Sequence, residues 1–142
     1  MIKNSKFIDK LRFSGLRPTK QRLKICEVLF NREKTFHFTI NDLAKNISDQ
    51  LSEKISLATV YNTVHAFKDK GYLKEISINS DKSYFDTNIA NHHHFFDEDT
   101  NELIDCHHDD IEKIKIKKNI TGKKINSVEV LIKVASDNQN QN

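Results

Sequence analysis

The sequence predicts an α+β fold, and three observations support this prediction. Apolar residues recur at helical spacing from residue 3 to about residue 70. After Gly71, apolar and polar residues alternate as they do in a half-buried strand. Beyond residue 91, short strand patterns are mixed with one helical pattern. The expected architecture is an N-terminal winged helix-turn-helix followed by a small α/β domain.

Capping residues mark the beginnings of three of the four helices expected in the first part of the chain. Thr19, Thr39 and Ser56 each precede an apolar periodic segment, and their hydroxyl oxygens can accept a backbone N–H of the first turn. The fourth helix is expected to run to about Lys70 and to end at Gly71. Its inward-facing residues are expected to be Leu57, Val60, Val64 and Phe67.

Strand patterns follow the fourth helix. The segments with this pattern are 72–78 and 83–86, which form the expected hairpin, and then 92–97, 102–106 and 128–134. A helix is expected at 109–119, where Ile111, Ile114 and Ile116 recur. We therefore expect a winged-helix domain at 1–86, a small domain at 87–135 and a polar, disordered tail at 136–142.

The composition excludes several classes of protein. The 142 residues include two cysteines, Cys26 and Cys106, and neither belongs to a C-x-x-C pair, so a disulfide scaffold and a cysteine-rich structural zinc site are excluded. No apolar run approaches the roughly 20 residues of a membrane helix. No secretory signal is expected at the N-terminus, because no apolar segment follows its charges. A cytoplasmic protein without a membrane partner is therefore expected.

The charge of the chain is unevenly distributed. Residues 1–90 contain 16 Lys and Arg against 10 Asp and Glu, a net charge of +6, whereas residues 91–142 have a net charge of −3. Five of the seven histidines fall between residues 92 and 108. A basic first part and an acidic, histidine-rich second part suggest one domain for a polyanion and one for a cation.

The outer face of the fourth helix is small, uncharged and rich in hydrogen-bonding groups. Thr59, Tyr61 and Asn62 lie on it, and such side chains can meet thymine methyl groups or contact adenine in a DNA major groove. A solvated helix face is the alternative, but solvated faces usually carry Lys and Glu. The basic side chains placed to contact phosphates are Arg17, Lys20, Arg22, Lys74 and Lys82. Double-stranded DNA is therefore the expected partner.

The histidine cluster predicts a cation site. In a strand, His92 and His94 project from one face and His93 from the other. Asp86 before them and Asp105 on the next strand would complete a nitrogen and oxygen ligand set that suits Fe, Mn or Zn. Haem ligation by His92–His94 and a merely solvated edge strand are the alternatives. His37 is ambiguous on its own, and His107 and His108 lack a recognisable ligand spacing.

These motifs, in this order, resemble the ferric uptake regulator family. The matching segments are Gly15 to Arg22 (GLRPTKQR), His37 to Leu43 (HFTINDL), Leu57 to Val64 (LATVYNTV) and His92 to His94. The resemblance covers about residues 8–134. It implies a homodimeric winged-helix repressor, dimerised through the second domain, whose metal occupancy controls its affinity for DNA. It also implies a regulatory site formed by His37, Asp86, His92, His94 and Asp105, which joins the two domains.

The sequence departs from the family pattern at three places, one of which is a third family site with a His near the last strand, where this chain has residues such as Val128. Most members carry two C-x-x-C pairs for a structural zinc, but Asp97 and Thr100 stand at the first pair and the second is missing. Asn62 stands where many members have Arg. The cysteine-free pattern is most similar to the iron response regulator branch, which senses haem or iron, although the Cys-Pro haem motif of some members is absent.

The expected function is therefore sequence-specific regulation of iron or haem homeostasis genes, with Arg17, Thr59, Tyr61 and Asn62 at the DNA. A peroxide-sensing repressor with Fe or Mn is the alternative within the family. A metal-dependent hydrolytic enzyme is a weaker alternative, because no general base pair or nucleophile motif accompanies the ligands. A histidine-rich interaction module is the remaining one, and no enzymatic activity is expected.

Overall fold

The computed structural model describes residues 2–137, with side chains from residue 4. The chain divides into two compact units, Met1–Ile89 and Ala90–Asn142. The described residues contain four α-helices and two three-stranded sheets, so the predicted α+β fold class is confirmed. None of these helices is long and apolar enough to cross a membrane. Residues 138–142 of the predicted tail lie outside the described part.

The first unit holds all four α-helices and one small sheet. Its elements are α1 (Ile2–Phe13), α2 (Lys20–Phe30), β1 (His37–Phe38), α3 (Ile40–Leu51), α4 (Leu57–Asp69), β2 (Lys74–Asn79) and β3 (Lys82–Asp86). Thr19, Thr39 and Ser56 are N-caps, and each side chain accepts the backbone N–H of the residue three positions later. Gly71 follows α4 with φ +82°, a left-handed conformation that ends a helix at little cost for glycine.

The helices of the first unit enclose one apolar core. Val60, Val64 and Phe67 on α4 are fully buried, as predicted. Leu57 was expected to join them, and this prediction is wrong, since its side chain is 53% exposed. Thr63 takes the inward position instead, because its hydroxyl donates a 2.7 Å hydrogen bond to the Thr59 carbonyl and needs no water.

Cys26 on α2 belongs to the same core. It is fully buried, and this burial raises the pKa of its thiol to about 12. The thiol is therefore protonated near neutral pH and behaves as an apolar side chain.

The sheet of the first unit has the order β1-β3-β2 with antiparallel pairing. β2 and β3 form the predicted hairpin. In the turn between them, the Asn79 side-chain oxygen accepts the backbone N–H of Asp81 at 2.9 Å. β1 adds to the outer side of β3 and places His37 directly opposite Asp86. The sheet thus brings His37 beside Asp86, the last residue of the hairpin, although the two are far apart in the sequence.

The second unit is built on a sheet with the order β5-β4-β6. Its strands are β4 (His93–Asp97), β5 (Glu102–Cys106) and β6 (Leu131–Val134). β5 pairs antiparallel and β6 parallel to the central β4. The buried residues of this unit in the described part are few: His94, Phe96, Leu103 and Cys106.

The helix predicted at 109–119 is wrong. One 3-10 turn covers His108–Asp110, and the chain then has no regular structure until β6, which begins at 131 rather than the predicted 128. Ile114 and Ile116 are 38% and 50% exposed, so no apolar face is buried that would stabilise a helix here. The β-branched isoleucines also lower helix propensity.

Candidate metal centre and nucleic-acid interface

The exposed face of α4 carries the side chains that were predicted to contact DNA bases. Tyr61 is 51% exposed, and its ring lies 4.0 Å from the His65 ring, which holds it against the helix. Asn62 is exposed beside it. Thr59 is half-buried, and its hydroxyl shares a 2.8 Å hydrogen bond with the hydroxyl of Ser56. Tyr61 and Asn62 are therefore available to a partner, whereas Thr59 is partly engaged at the helix cap.

The beginnings of α2 and α4 lie beside one groove. The groove is lined by Thr19, Lys20, Gln21, Arg22 and Thr59. Backbone N–H groups and the positive end of the helix dipole face an anion at such helix N-termini. The groove therefore has the chemistry of a phosphate contact next to the exposed face of α4.

Arg17 lies on the loop that precedes α2. Its side chain is exposed, while its carbonyl accepts a 2.9 Å hydrogen bond from the Arg22 guanidinium. This bond orders the loop and leaves the Arg17 guanidinium accessible from solvent. A DNA contact by Arg17 stays a prediction.

The two lysines of the hairpin have different surroundings. Lys74 lies opposite Asp86 in the β2–β3 pairing. Its partial burial lowers the pKa of its ammonium group, and the Asp86 carboxylate has the smaller, opposite effect of raising it. The Lys82 ammonium lies 5.5 Å from the centre of the Tyr84 ring. Lys74 is thus tied to a buried carboxylate, and Lys82 is the better placed of the two for a phosphate.

Two of the predicted metal ligands belong to the first unit. Asp86 is 2% exposed and its carboxylate accepts the backbone N–H of Asn88 at 2.9 Å. His37, its partner across the β1–β3 pair, is half-buried with its ring edge against Tyr84. Side chains of directly paired residues project from the same face of a sheet. The sheet therefore brings an imidazole and a carboxylate to one face.

Three further predicted ligands converge in the second unit. The β4–β5 register places His94 directly opposite Asp105. The Nε2 atoms of His92 and His94 lie 3.5 and 3.3 Å from the same Asp105 oxygen, and their ring centres are 4.3 Å apart. The ligand atoms of His92, His94 and Asp105 all lie within 4.8 Å of one another. The two nitrogen–oxygen distances are close to the edges of a metal coordination polyhedron, which are about 3.0–3.4 Å for bond lengths near 2.1 Å.

The tautomer of His92 follows from its surroundings. Its Nδ1 lies 2.7 Å from the Ala90 carbonyl oxygen, which can only accept a hydrogen bond, so Nδ1 carries a proton. In the neutral ring, Nε2 then presents its lone pair toward the Asp105 carboxylate. A lone pair and a carboxylate oxygen repel each other unless a cation or a proton lies between them. A backbone carbonyl that orients a ligating histidine is a common support of metal sites.

His93 does not share the face of its two neighbours. Its Nδ1 accepts the Val130 backbone N–H at 2.9 Å, so the ring helps to position the chain entering β6. The three consecutive histidines therefore do not present one ligand set. Haem ligation by His92–His94 gains no support from this arrangement.

Comparison with known proteins identifies the family. The model of the ferric uptake regulator family matches residues 13–134. The chain belongs to the ferric uptake regulator family. The expected function is thereby confirmed at the level of a metal-responsive transcriptional regulator of this family.

Individual members of the ferric uptake regulator family show how far the similarity extends. The peroxide-responsive repressor PerR of Staphylococcus epidermidis is 32% identical over 108 residues, which cover 76% of this chain and 70% of that protein. The Vibrio cholerae ferric uptake regulator has a TM-score of 0.65 at 26% identity, covering 91% of this chain and 98% of that one. The manganese-containing ferric uptake regulator structure from Pseudomonas aeruginosa has a TM-score of 0.64 at 25% identity, covering 96% and 98%. Both peroxide and ferric uptake regulators are thus similar to this chain, and the iron response branch is not distinguished.

The positions at which most family members carry the first cysteine pair form a turn here. The Asp97 carboxylate accepts the backbone N–H groups of Asp99 and Thr100 at 2.9 and 3.3 Å. The Asp99 carboxylate in turn accepts hydrogen bonds from the backbone N–H and hydroxyl of Ser136, just beyond β6. Hydrogen bonds to carboxylates therefore connect the β4–β5 turn to the end of β6.

The Asp99–Ser136 contact depends on pH in a definite direction. The two hydrogen bonds from Ser136 lower the pKa of Asp99. The contact therefore contributes its full stabilisation above the pKa of an unfolded aspartate, and this stabilisation is lost as the pH falls through the lower pKa of Asp99 in the folded protein.

The sequence analysis did not single out two features of this surface. The Tyr61–His65 stack and the carbonyl that orients His92 both depend on local geometry. Tyr61 and His65 are four residues apart, a spacing at which two side chains of a helix meet, so the sequence could have predicted their stacking. The carbonyl contact leaves no sequence signal.

Proposed function

We propose that the protein is a homodimeric, cytoplasmic repressor that binds a double-stranded DNA operator under the control of a divalent cation, Fe, Mn or Zn. The first unit would contribute His37 and Asp86 to the ion, and the second unit His92, His94 and Asp105. The convergence of two imidazole nitrogens on one carboxylate oxygen in the second unit carries the proposal. The matching pair on one sheet face of the first unit supports it.

The chemistry of these ligands fits a regulatory ion. Imidazole and carboxylate suit Fe(II), Mn(II) and Zn(II), and a set without thiolate differs from a closed, cysteine-rich structural zinc site. A cation held by ligands from both units would favour one angle between them. In a dimer this angle determines the distance between the two α4 helices, and hence which half-site spacing is bound.

The size of the proposed coupling can be bounded. A ligand shifts a conformational equilibrium by its difference in affinity for the two states, and allosteric couplings are typically about 5–150-fold. We expect operator affinity with and without saturating Mn(II) to differ within this range. An operator can be selected from random duplexes, and the affinities measured by fluorescence anisotropy. Equal affinity in both states would overturn the proposal.

Homodimer formation is supported by the surface of the second unit. Several of its large apolar side chains are 37–50% exposed: Ile104, Ile114, Ile116, Ile125, Val128 and Val134. A unit with so few buried residues gains stability when a second copy covers such side chains. Dimerisation through the second unit would also give the two DNA contacts that a palindromic operator requires.

Replacement of Asn62 by alanine tests the DNA-contacting face. The side chain is exposed on α4, where it can donate to and accept from a base edge. We expect Asn62→Ala to weaken operator binding by about 1–3 kcal/mol and to leave binding to unrelated duplexes unchanged. The matched control is Asn46→Ala, an exposed asparagine on α3 bonded to Gln50. Equal losses on operator and unrelated DNA would contradict a base contact by Asn62.

We propose iron as the effector and iron homeostasis genes as the targets of the repressor. Haem is not proposed, because the three histidines do not face one side. The proteins named above are regulators and repressors rather than enzymes, and no catalytic role is proposed.

Peroxide sensing is the second candidate function, favoured by the similarity to the peroxide-responsive repressor of Staphylococcus epidermidis. In such a repressor His37, Asp86, His92, His94 and Asp105 would hold Fe(II). The reaction of this ion with peroxide would place one peroxide oxygen on a ligand histidine, and the other would leave as water. Peptide mass spectrometry after exposure of the Fe(II) protein to peroxide should then find one added oxygen on His37 or His92. The Mn(II) protein is the control. Unmodified histidines together with retained DNA binding would rule out this function.

A further inference from the structure

A second cluster of ligating side chains lies just after β5. It consists of His107, His108 and Asp109, and its ligand atoms lie within 4.8 Å of one another. The Asp109 carboxylate contacts both imidazoles, with one oxygen 3.4 Å from His107 Nδ1 and the other 3.2 Å from His108 Nε2. We propose that this cluster is a second divalent cation site, independent of the proposed regulatory site.

The spacing of the three groups supports coordination of a single ion. Ligand atoms bound to one zinc at about 2.0–2.1 Å are separated by about 3.3 Å when the geometry is tetrahedral. Both nitrogen–oxygen distances in the cluster are close to this value, and each involves a different oxygen of Asp109, so this carboxylate would hold the ion through both oxygens. The centres of the two imidazole rings are 4.3 Å apart and the ring planes are inclined by 32°, so both rings lie beside the same carboxylate.

The backbone of the cluster is ordered before an ion binds. The 3-10 turn is closed by a 2.9 Å hydrogen bond from the Asp110 N–H to the His107 carbonyl. The Asp110 carboxylate also accepts the His107 N–H at 3.1 Å. An ion would replace the 3.3 Å bond from the Asp109 N–H to His107 Nδ1, while the two bonds of Asp110 remain. Binding thus requires little ordering of the chain.

The chemistry of the cluster selects the class of ion. Two imidazoles and one carboxylate suit Zn(II), Ni(II) or Cu(II), whereas Mg(II) and Ca(II) prefer oxygen ligands alone. The side chains are 63%, 83% and 76% exposed, so water can fill the remaining coordination positions. An accessible ion of this kind exchanges with solvent rather than serving as a closed structural centre.

The second site shares no residue with His92, His94 or Asp105, which allows a clean separation of the two. Titration of the full-length protein with Zn(II), followed by calorimetry, should reveal this site in the His92→Ala/His94→Ala background. In that background, His108→Ala and Asp109→Asn should each weaken Zn(II) binding by about tenfold or more, because each removes one ligand. Glu112→Gln is the matched control, since it removes an exposed carboxylate three residues beyond Asp109.

Histidine resonances give the second readout. Zn(II) should shift the ring signals of His107 and His108 in the background protein, and Mg(II) at the same concentration should leave them unchanged. The proposal is overturned if Zn(II) affinity is the same with and without His108 and Asp109, or if the two rings do not respond. The proposed regulatory function fails by a different result, namely operator affinity that is independent of the cation in the unmodified protein.

Discussion

Replacement of His94 by alanine is expected to abolish the effect of the cation on operator affinity. His94 is 4% exposed, lies opposite Asp105 and has its Nε2 3.3 Å from the carboxylate. Loss of this imidazole removes a buried ligand that no nearby side chain on β4 can replace, since His93 faces the other way. Anisotropy titrations should show the ratio of affinities with and without Mn(II) falling from the expected 5–150-fold range to about one.

Two further variants show whether this loss reflects the metal or the fold. His93→Ala removes an imidazole from the same strand but from the opposite face, so it should keep the cation effect. Asp105→Asn keeps the shape of an exposed ligand while removing its charge, so it should lose the effect without creating a cavity. A His94→Ala protein that retains the full Mn(II) dependence would contradict the assignment of His94, and one with lost β-sheet circular dichroism would indicate a structural role.

Replacement of Phe67 by alanine should strongly destabilise the first unit. The side chain is fully buried on α4, with ring centres 5.4 Å from Phe30 and 6.0 Å from Tyr72 in edge-to-face contact. Deletion of a buried phenyl ring loses its transfer free energy and leaves a cavity, which typically costs about 3–5 kcal/mol. Urea unfolding followed by helical circular dichroism reports this unit, because all four α-helices lie in it.

Phe13→Ala is the matched control for this prediction. Phe13 ends α1 with 64% of its side chain exposed, although its ring edge contacts Tyr72. Its removal should lower the free energy of unfolding by less than about 1 kcal/mol. Equal effects of the two substitutions would contradict the assignment of Phe67 to the core.

Much of the first unit could be predicted because its signals are local. Thr19, Thr39 and Ser56 fix three helix beginnings by a hydrogen bond within four residues, and Gly71 fixes an end. The exposure of Leu57 could not be predicted in this way. Leu57 is the first residue of α4, and its exposure depends on how far the packing of the other helices reaches along α4.

The segment after β5 shows where periodicity fails. The spacing of three between Ile111 and Ile114 favours a helix, whereas the spacing of two between Ile114 and Ile116 favours an extended chain. The sequence pattern does not show which residues these side chains pack against. In the described chain Ile114 and Ile116 are exposed. Tertiary contacts, rather than local propensity, decide whether such a segment is helical or extended.

The candidate metal site was partly accessible from the sequence. Strand alternation places His92 and His94 together, and a turn near residue 100 places Asp105 opposite His94, as the β4–β5 register shows. The placement of His37 beside Asp86 is different, because 48 intervening residues must fold before β1 meets β3. The resemblance to the family suggested that pair, whereas periodicity alone did not.

The parallel pairing of β4 with β6 has a consequence for the order of events during translation. The central strand, which carries His94, has β5 as an early neighbour, but its other edge is covered by residues 131–134. Parallel strands need a long connection, and residues 98–130, which include β5, supply it between β4 and β6. The helical unit can therefore fold while the ribosome is still extending the chain, whereas the histidine-bearing sheet is completed only after residue 134 has emerged.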